Sequence, residues 1–583
     1  MKNFTLKPET QRMILAMIFA LSAFMLWERW QAENRPPPAP AVVTGSASQS
    51  QAPAPVVRND VPSAPAAATK AAAAGAAAGA VVPAGNAAAT AASGELVSIK
   101  TDLFTAQIDT LGGVLAQVAL DKHRNAGDSD QPYLALQRNA DRTFVAQSGL
   151  VGNGLPNHYT RYELLPGPRE LAPGAATLDV KLAATAANGD RVVETYTFHR
   201  GSYLIDVGYD ITNAGAAPLT PSAYFQFTRD TKSAVAHHSM APSSFVGPVV
   251  YNEADKYKKI DFAEIDKEAA DPTRKPAFTK NADNGWVGMV EHYFVAAWVP
   301  SDASKEPREF YTRKLDNGLY AAGVVVDGKA IAPGASGEIK VPLYVGPQDQ
   351  DVLATTAKGL NLVVDYGLFT IIAAPLFALL KWLHGMIGNW GWSIIVMTIL
   401  IKGAFFPLNA KAARSMAKMK IVAPKMKALQ EQYAKDKQQL QVRMMELYKT
   451  EKINPLGGCL PIVVQIPVFI ALYWVLLSAV ELRHAPWIGW IHDLSAPDPW
   501  YILPVLYAIT AWAQVKLSPT PVTDPIQQKM FQIMPIAFSV MFIFFPSGLV
   551  LYWLVNNLLQ IAQQWHVNKM LEREAAAVAL KKR

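Results

Sequence analysis

Apolar and polar positions change their rhythm several times along the chain. Met13 to Trp27 is an uninterrupted apolar or small run behind Lys2, Lys7 and Arg12, and it ends in the aromatic and charged group Trp27, Glu28, Arg29, Trp30. No small-residue cleavage site follows directly, so residues 1–30 read as a retained membrane anchor with a cytoplasmic N-terminus. Residues 31–94 are dominated by Ala, Pro, Gly, Ser and Val. They lack the large side chains that offset ordering entropy, and they read as a disordered linker. From Glu95 to Asp349 the period becomes two. Tyr203, Ile205, Val207, Tyr209 and Ile211 alternate with Leu204, Asp206, Gly208 and Asp210, which places one apolar set on the buried face of a sheet. Asn188-Gly189, Asn317-Gly318 and Asp327-Gly328 stand between such runs as hairpin signals. The stretch 95–349 is therefore predicted to be a large antiparallel all-β domain.

Beyond Gly346 the pattern is helical. Tyr366 to Ile387, broken by Pro375 and carrying Lys381 and His384, suits a helix lying along the membrane interface, and 350–388 is read as a connecting and interfacial amphipathic segment. Asn389 to Asn409, Leu456 to Val480, Tyr501 to Leu517, Met530 to Phe545 and Gly548 to His566 are each near the ~20 residues that cross a bilayer. With the anchor they make six spans, five of them a core at 389–567. The basic 410–454 loop, the 518–529 connection and the tail 568–583, ending Lys581-Lys582-Arg583, then share the cytoplasmic side, as the positive-inside rule asks. Residues 31–388 fall mainly outside, on the opposite side, which the resemblance given below makes the periplasm.

Composition agrees with a membrane class: 583 residues, 51% hydrophobic and 17% charged. The net charge of +7 does not point to a nucleic-acid-binding domain, because it is concentrated in one place; between Lys411 and Lys452 eleven Lys or Arg accompany four Asp or Glu. The lone cysteine, Cys459, forms no intramolecular disulfide and has no partners at metal-ligand spacing. Phosphate-binding, zinc-protease and serine-hydrolase motifs do not occur. No metal, cofactor or enzymatic chemistry is expected.

The chemistry that stands out is one cation inside an apolar helix. Lys402, about twelve residues from Trp390 and seven from Asn409, costs on the order of 2.5–3.5 kcal/mol at a bilayer centre, less if it snorkels. Polar side chains recur at helical spacing around it. Thr398 precedes it by one turn. Tyr552, Asn556, Gln560 and Gln563 form a stripe on the last span, Thr510 and Gln514 lie on the fourth, Gln532 and Ser539 on the fifth, and Gln465 on the third. Singly, each suits an interhelical hydrogen bond. Together with a cation that has no acidic partner in these segments, they imply a hydrated internal groove.

The 410–454 loop carries its own helical pattern: Ala412, Met416, Met419, Val422, Met426, Leu429 and Tyr433, then Leu440, Met444 and Leu447. A turn at Ala434-Lys435-Asp436 folds it into a methionine-rich hairpin bearing Lys420, Lys425 and Lys427. Packing on itself is one reading. An adaptable contact surface for apolar nascent segments, headgroups or ribosomal RNA is the other.

Three stretches, Asn454-Pro-Leu-Gly-Gly-Cys-Leu-Pro-Ile-Val-Val-Gln-Ile-Pro467, Asp493-Leu-Ser-Ala-Pro-Asp-Pro499 and Phe545-Pro-Ser-Gly-Leu-Val-Leu-Tyr-Trp553, resemble the YidC/Oxa/Alb membrane insertases, in the bacterial branch with a large periplasmic domain. Phe198-His-Arg-Gly-Ser-Tyr203, Tyr293-Phe294 and Tyr344-Val-Gly-Pro347 extend the resemblance to the β region. It implies a β-supersandwich, an interfacial helix, and five core helices around a groove open to cytoplasm and lipid but closed to the periplasm. It further implies insertion and folding of bacterial inner-membrane proteins, alone or with the Sec translocon, with nascent membrane proteins, the ribosome and the phospholipid bilayer as partners. The family's groove cation is typically arginine and the matching residue here is Lys402, so a positive field is retained while bidentate pairing is lost. Thr398 and Tyr552 match groove positions, and Gln465, Ile466 and Pro467 match the face that meets incoming segments. A secondary transporter would instead show inverted repeats, and a tethered carbohydrate-acting enzyme would need a paired acid and base in 95–349.

Overall fold

A computed structural model describes residues 60–62 and 94–581, apart from 126–129, 153, 233–244, 272, 304, 434–435, 452–459 and 518–538. The expected N-terminal anchor, most of the linker, and most of the Met530–Phe545 span with Gln532 lie outside the described residues.

The period-two region forms two nine-stranded sheets. One runs from Leu96–Lys100 at its edge through Phe104–Asp109, Val114–Arg124, Pro132–Arg138, Thr143–Val151, Ser222–Arg229, Tyr320–Asp327 and Arg308–Lys314 to Asn281–Ala282. The other runs from Lys256–Lys259 through Gly247–Asn252, Trp286–Val290, Phe294–Trp298, Ser336–Pro347, Leu204–Thr212, Arg191–His199 and Thr177–Thr185 to Glu163–Leu164. Ile205, Val207, Tyr209 and Ile211 are fully buried between the sheets with Phe198, Phe225, Phe227 and Trp298, so the alternation in the sequence marks the core face of that strand. Gly189 (φ 90°) and Gly318 (φ 82°) turn true hairpins between paired strands. Asp327-Gly328 does not. The strand it ends belongs to the first sheet and the next strand, Ser336–Pro347, belongs to the second. A turn dipeptide specifies a local reversal, and here the chain uses it to change layers, with Gly328 N bonded to Pro221 O at 2.7 Å.

One carboxyl lies inside this core. Glu194 is completely buried and accepts hydrogen bonds from Ser148 (3.0 Å) and Tyr209 (2.9 Å). Burial raises its pKa to about 8 despite those bonds. Its other oxygen occupies the space beside Gly113 (φ 62°), where a Cβ would stand 1.9 Å away. Glycine there is required by both conformation and room.

The helices are α1 (Phe262–Ala270), α2 (Gln350–Thr356), α3 (Thr370–Ile387), α4 (Trp390–Gln432), α5 (Lys437–Thr450), α6 (Leu460–Ser478), α7 (Ile502–Leu517) and α8 (Ser547–Lys581). Helix α3 buries Ala373, Phe377, Leu380 and Leu383, a single stripe at three- and four-residue spacing, while Lys381 pairs with Asp351. Among the described residues α3 and the Trp390–Ala412 part of α4 are long and apolar enough to cross a membrane, and Val464–Ser478 and Ile502–Leu517 are shorter apolar helices. Helix α4 does not break where the sequence suggests a span giving way to a loop. Its 43 residues continue through Pro407 and Pro424, so the apolar segment and the first hairpin arm are one helix of about 65 Å. Asp436 caps α5, accepting from Gln438 N and Gln439 N at 3.1 and 3.0 Å. Val422 and Met426 are buried against Met444, Leu447 and Tyr448, and Lys425 pairs with Glu451 at 2.6 Å.

Sandwich and helices share a junction. Glu291 accepts from Tyr133 at 2.5 Å and pairs with Arg142 and Arg229, all buried. Just beyond, Arg483 from the α6–α7 loop lies 5.3 Å from the ring centres of Tyr133 and Phe294, which stack at 3.9 Å, and 6.0 Å from Tyr293. His123 lines the same place. Burial, with Arg483 and His484 nearby, lowers its pKa to about 4, so it packs as a neutral ring.

Candidate functional site

Helix α8 is the hub of the helices α4, α6 and α7 that pack around it. Tyr552, Asn556, Gln560 and Gln563 follow at spacings of four, four and three, which aligns them on one face, and Asn557 looks toward a different neighbour. Lys402 Nζ on α4 donates to Gln560 Oε1 at 2.8 Å. Farther along the same helix pair, Asn409 Nδ2 donates to Gln563 Oε1 at 3.4 Å and Gln563 Nε2 to Phe406 O at 3.3 Å. Gln465 on α6 reaches Asn556 at 3.5 Å. Thr510 on α7 accepts from Asn557 at 3.0 Å. Four helices therefore exchange polar contacts with α8 as the common member.

Not every expected residue joins this network. Thr398, 1% exposed, donates its hydroxyl to Ile394 O one turn back at 2.7 Å, an internal helix bond. Gln514 is half-buried on α7 and is not drawn into the network by any hydrogen bond among the described residues. Ile466 is 47% exposed on α6, beside half-buried Pro467. On the hairpin Met426 points inward, and among the described residues Val442 and Met445 are large apolar side chains exposed there. Met416, Met419, Lys420 and Lys427 have no described side chain. Sequence reasoning missed Asn409 and Asn557. Asn557 is buried next to Asn556, and the doubled asparagine was the available signal, since consecutive polar residues on one helix serve two faces.

Toward the β-domain end the polar network gives way to rings. Trp553 packs 4.1 Å from Phe469 and 5.4 Å from Phe542, and Phe542 packs 4.7 Å from Tyr507. Tyr552, 2% exposed, lies 6.0 Å from Phe469. These aromatics draw on α6, α7, α8 and the turn before α8, and they close the cluster on that side. Lys402 itself is 7% exposed. Trp390–Asn409, Leu460–Ser478, Ile502–Leu517 and Ser547–His566 contain no Asp or Glu, and its observed partner is a neutral amide.

The YidC periplasmic domain family model matches residues 96–379, and the 60Kd inner membrane protein family model matches residues 382–574. A protein of Aromatoleum aromaticum named membrane protein insertase YidC is 47% identical over 566 residues, covering 97% of this chain and 98% of its own. One of the same name from Cupriavidus necator is 48% identical over 576 residues, covering 98% and 100%. The chain belongs to the YidC membrane protein insertase family. It is thereby an inner-membrane protein with a periplasmic domain built mostly of β-sheet. A crystal structure of an active YidC insertase with its first transmembrane domain resolved aligns over 81% of the chain and 94% of its own, at 16% identity and a TM-score of 0.35.

In this YidC-family chain two of the motifs that carry the resemblance lock together. Ser547 N donates to Ala496 O (2.7 Å), Ser547 Oγ to Asp493 O (2.8 Å) and Gly548 N to Leu494 O (2.9 Å). Buried Asp498 accepts from the Trp490 indole Nε1 at 3.0 Å and from Leu503 N at 2.7 Å, the second a free amide at the start of α7. These residues frame the β-domain side of the helices. The third motif lies partly outside the described residues.

Proposed function

We propose that this YidC-family insertase receives a hydrophobic client segment at the cytoplasmic hairpin, draws the segment's short polar or acidic flank toward Lys402, and releases the apolar part into lipid beside Ile466 and Pro467 on α6. The observation that carries the reading is the polarity gradient along α8. Tyr552 and Trp553 belong to an aromatic layer near its start, and the next turns carry the amides Asn556, Asn557, Gln560 and Gln563, with Lys402 of α4 bonded to Gln560. An ammonium has three N–H donors, and Gln560 accepts one, so the others call for water. A wet, positively charged stretch around Lys402 and these amides shortens the apolar barrier for a flank arriving from that side.

The driving force is burial of the client's apolar surface, at ~25 cal/mol per Å². For an acidic flank the membrane potential adds ~2.3 kcal/mol per charge per 100 mV. We further propose six spans, α3 along the periplasmic interface, both termini in the cytoplasm, and contact with the Sec translocon and the ribosome. The basic hairpin suits ribosomal phosphates.

Photo-crosslinking of ribosome-bound client chains tests the route. A crosslinker at Ile466 is expected to capture the client's apolar segment, and one at Leu549, inside the closed end, is not. Capture at Leu549 with none at Ile466 would reverse the proposed path.

A further inference from the structure

The central strand Ser222–Arg229 of the first sheet is buried on both faces. Its inward residues fill the sandwich core, but its outward residues Tyr224 and Gln226, both fully buried, and Thr228 need a cover of their own. Part of that cover comes from far away in sequence. Asp60 Oδ2 lies 3.4 Å from His158 Nε2, and Asp60 O accepts from Gln226 Nε2 at 3.2 Å. Val61 packs against Val151, Tyr224, Tyr311 and Val325, and Pro62 is buried.

The receiving surface is built for an occupant. Tyr311 donates to Gln226 Oε1 at 2.8 Å, Gln226 Nε2 also reaches Gln147 at 3.0 Å, and the Tyr224 hydroxyl bonds the His158 ring. The two tyrosines fit because their neighbours are glycines. A Cβ on Gly149 would stand 2.6 Å from the Tyr224 hydroxyl, and one on Gly323 would stand 2.5 Å from the Tyr311 hydroxyl. The sequence singles out the same segment, because Asp60 is the only acidic residue between positions 34 and 94.

We infer that the outer face of the first sheet carries a peptide-docking site for an Asp–apolar–Pro sequence, filled in cis by Asp60-Val61-Pro62. Histidine and glutamine read the aspartate and its carbonyl, and the tyrosine pair receives the valine. A weak intrinsic affinity suffices, since tethering supplies a high effective concentration. Docking pins the middle of the Ala/Pro-rich stretch to the sandwich, so the N-terminal segment is attached at this face as well as through residue 94.

Spin-label distances in the full-length protein in nanodiscs test this, using Asn59→Cys and Asn317→Cys in a Cys459→Ser background. A docked segment gives one narrow distance distribution that broadens several-fold with Asp60→Lys or Val61→Asp. Those substitutions lie outside every strand, and an unchanged thermal melt of the sandwich shows that the domain still folds. A distribution already broad without them, or one that they leave narrow, overturns the site.

Discussion

Lys402 Nζ and Gln560 Oε1, 158 residues apart in sequence, meet at 2.8 Å where α4 and α8 pack. The bond orients the ammonium without neutralising it, which distinguishes it from the salt bridges of the β domain. Gln560→Leu removes the acceptor and leaves a charge-assisted bond unmade, a loss of ~1.5–3 kcal/mol. Thermal unfolding in detergent should show the lowered stability. Gln560→Glu should keep the fold but cancel the local positive field, lowering insertion of clients with acidic flanks more than of clients with neutral ones. Equal insertion of both client types by Gln560→Glu would show that the field is not used.

Glu194 makes the sandwich sensitive to alkali. Its folded pKa of about 8 exceeds the ordinary carboxyl value of 4.5, so the folded state holds a proton that the unfolded state has lost between these values. Its contribution is complete below the ordinary value and falls as pH rises toward 8. Glu194→Gln should flatten the pH dependence of the β domain's melting temperature between about pH 5 and 8 and raise it at pH 8. A slope unchanged by the substitution would place the titration elsewhere.

The aromatic layer should act as a seal. Trp553→Ala removes a ring packed among Phe469, Tyr507 and Phe542, a change that typically costs ~3–5 kcal/mol. In a Cys459→Ser background, a cysteine at Asn556 should resist a membrane-impermeant maleimide added from the periplasmic side and become reactive once Trp553 is alanine. Labelling that is fast before the substitution would mean that the rings do not close this end.

Arg483 ties the sandwich to the helices through aromatic faces. Arg483→Ala should release about 1–2 kcal/mol of cation–π attraction, seen as faster hydrogen exchange in the 479–500 loop and around Tyr133, while the sandwich core around Ile205 stays protected. Uniform loosening of both regions would instead make Arg483 part of the domain's general stability.

The sandwich was readable because its signal is local. The Tyr203–Ile211 alternation repeats within one strand, and Asn188-Gly189 and Asn317-Gly318 specify reversals within four residues. Asp327-Gly328 misled because local turn chemistry cannot say which sheet receives the next strand. Lys402 stood out as a charge in an apolar run, and the α8 stripe follows from helical spacing. The pairing of Lys402 with Gln560, by contrast, depends on how two distant helices rotate against each other, which neither helix encodes alone. Met426 shows the same limit. Its place in the pattern identified an apolar face, but whether that face meets a client or the other arm of the hairpin is decided by packing. The Asp60 dock adds a further limit, since three residues in an Ala/Pro-rich stretch have no periodicity to read, and the lone acid marks a position without saying what it meets.

The central claim is that the charge at position 402 draws acidic flanks into the helices. The most direct measurement replaces Lys402 by Glu or by Arg in cells depleted of their own insertase, and follows insertion of a client with an acidic translocated tail at matched protein levels. Lys402→Arg should insert normally and Lys402→Glu should lose most insertion of that client, with a neutral-tailed client affected much less. Undiminished insertion of the acidic-tailed client by Lys402→Glu would contradict the account.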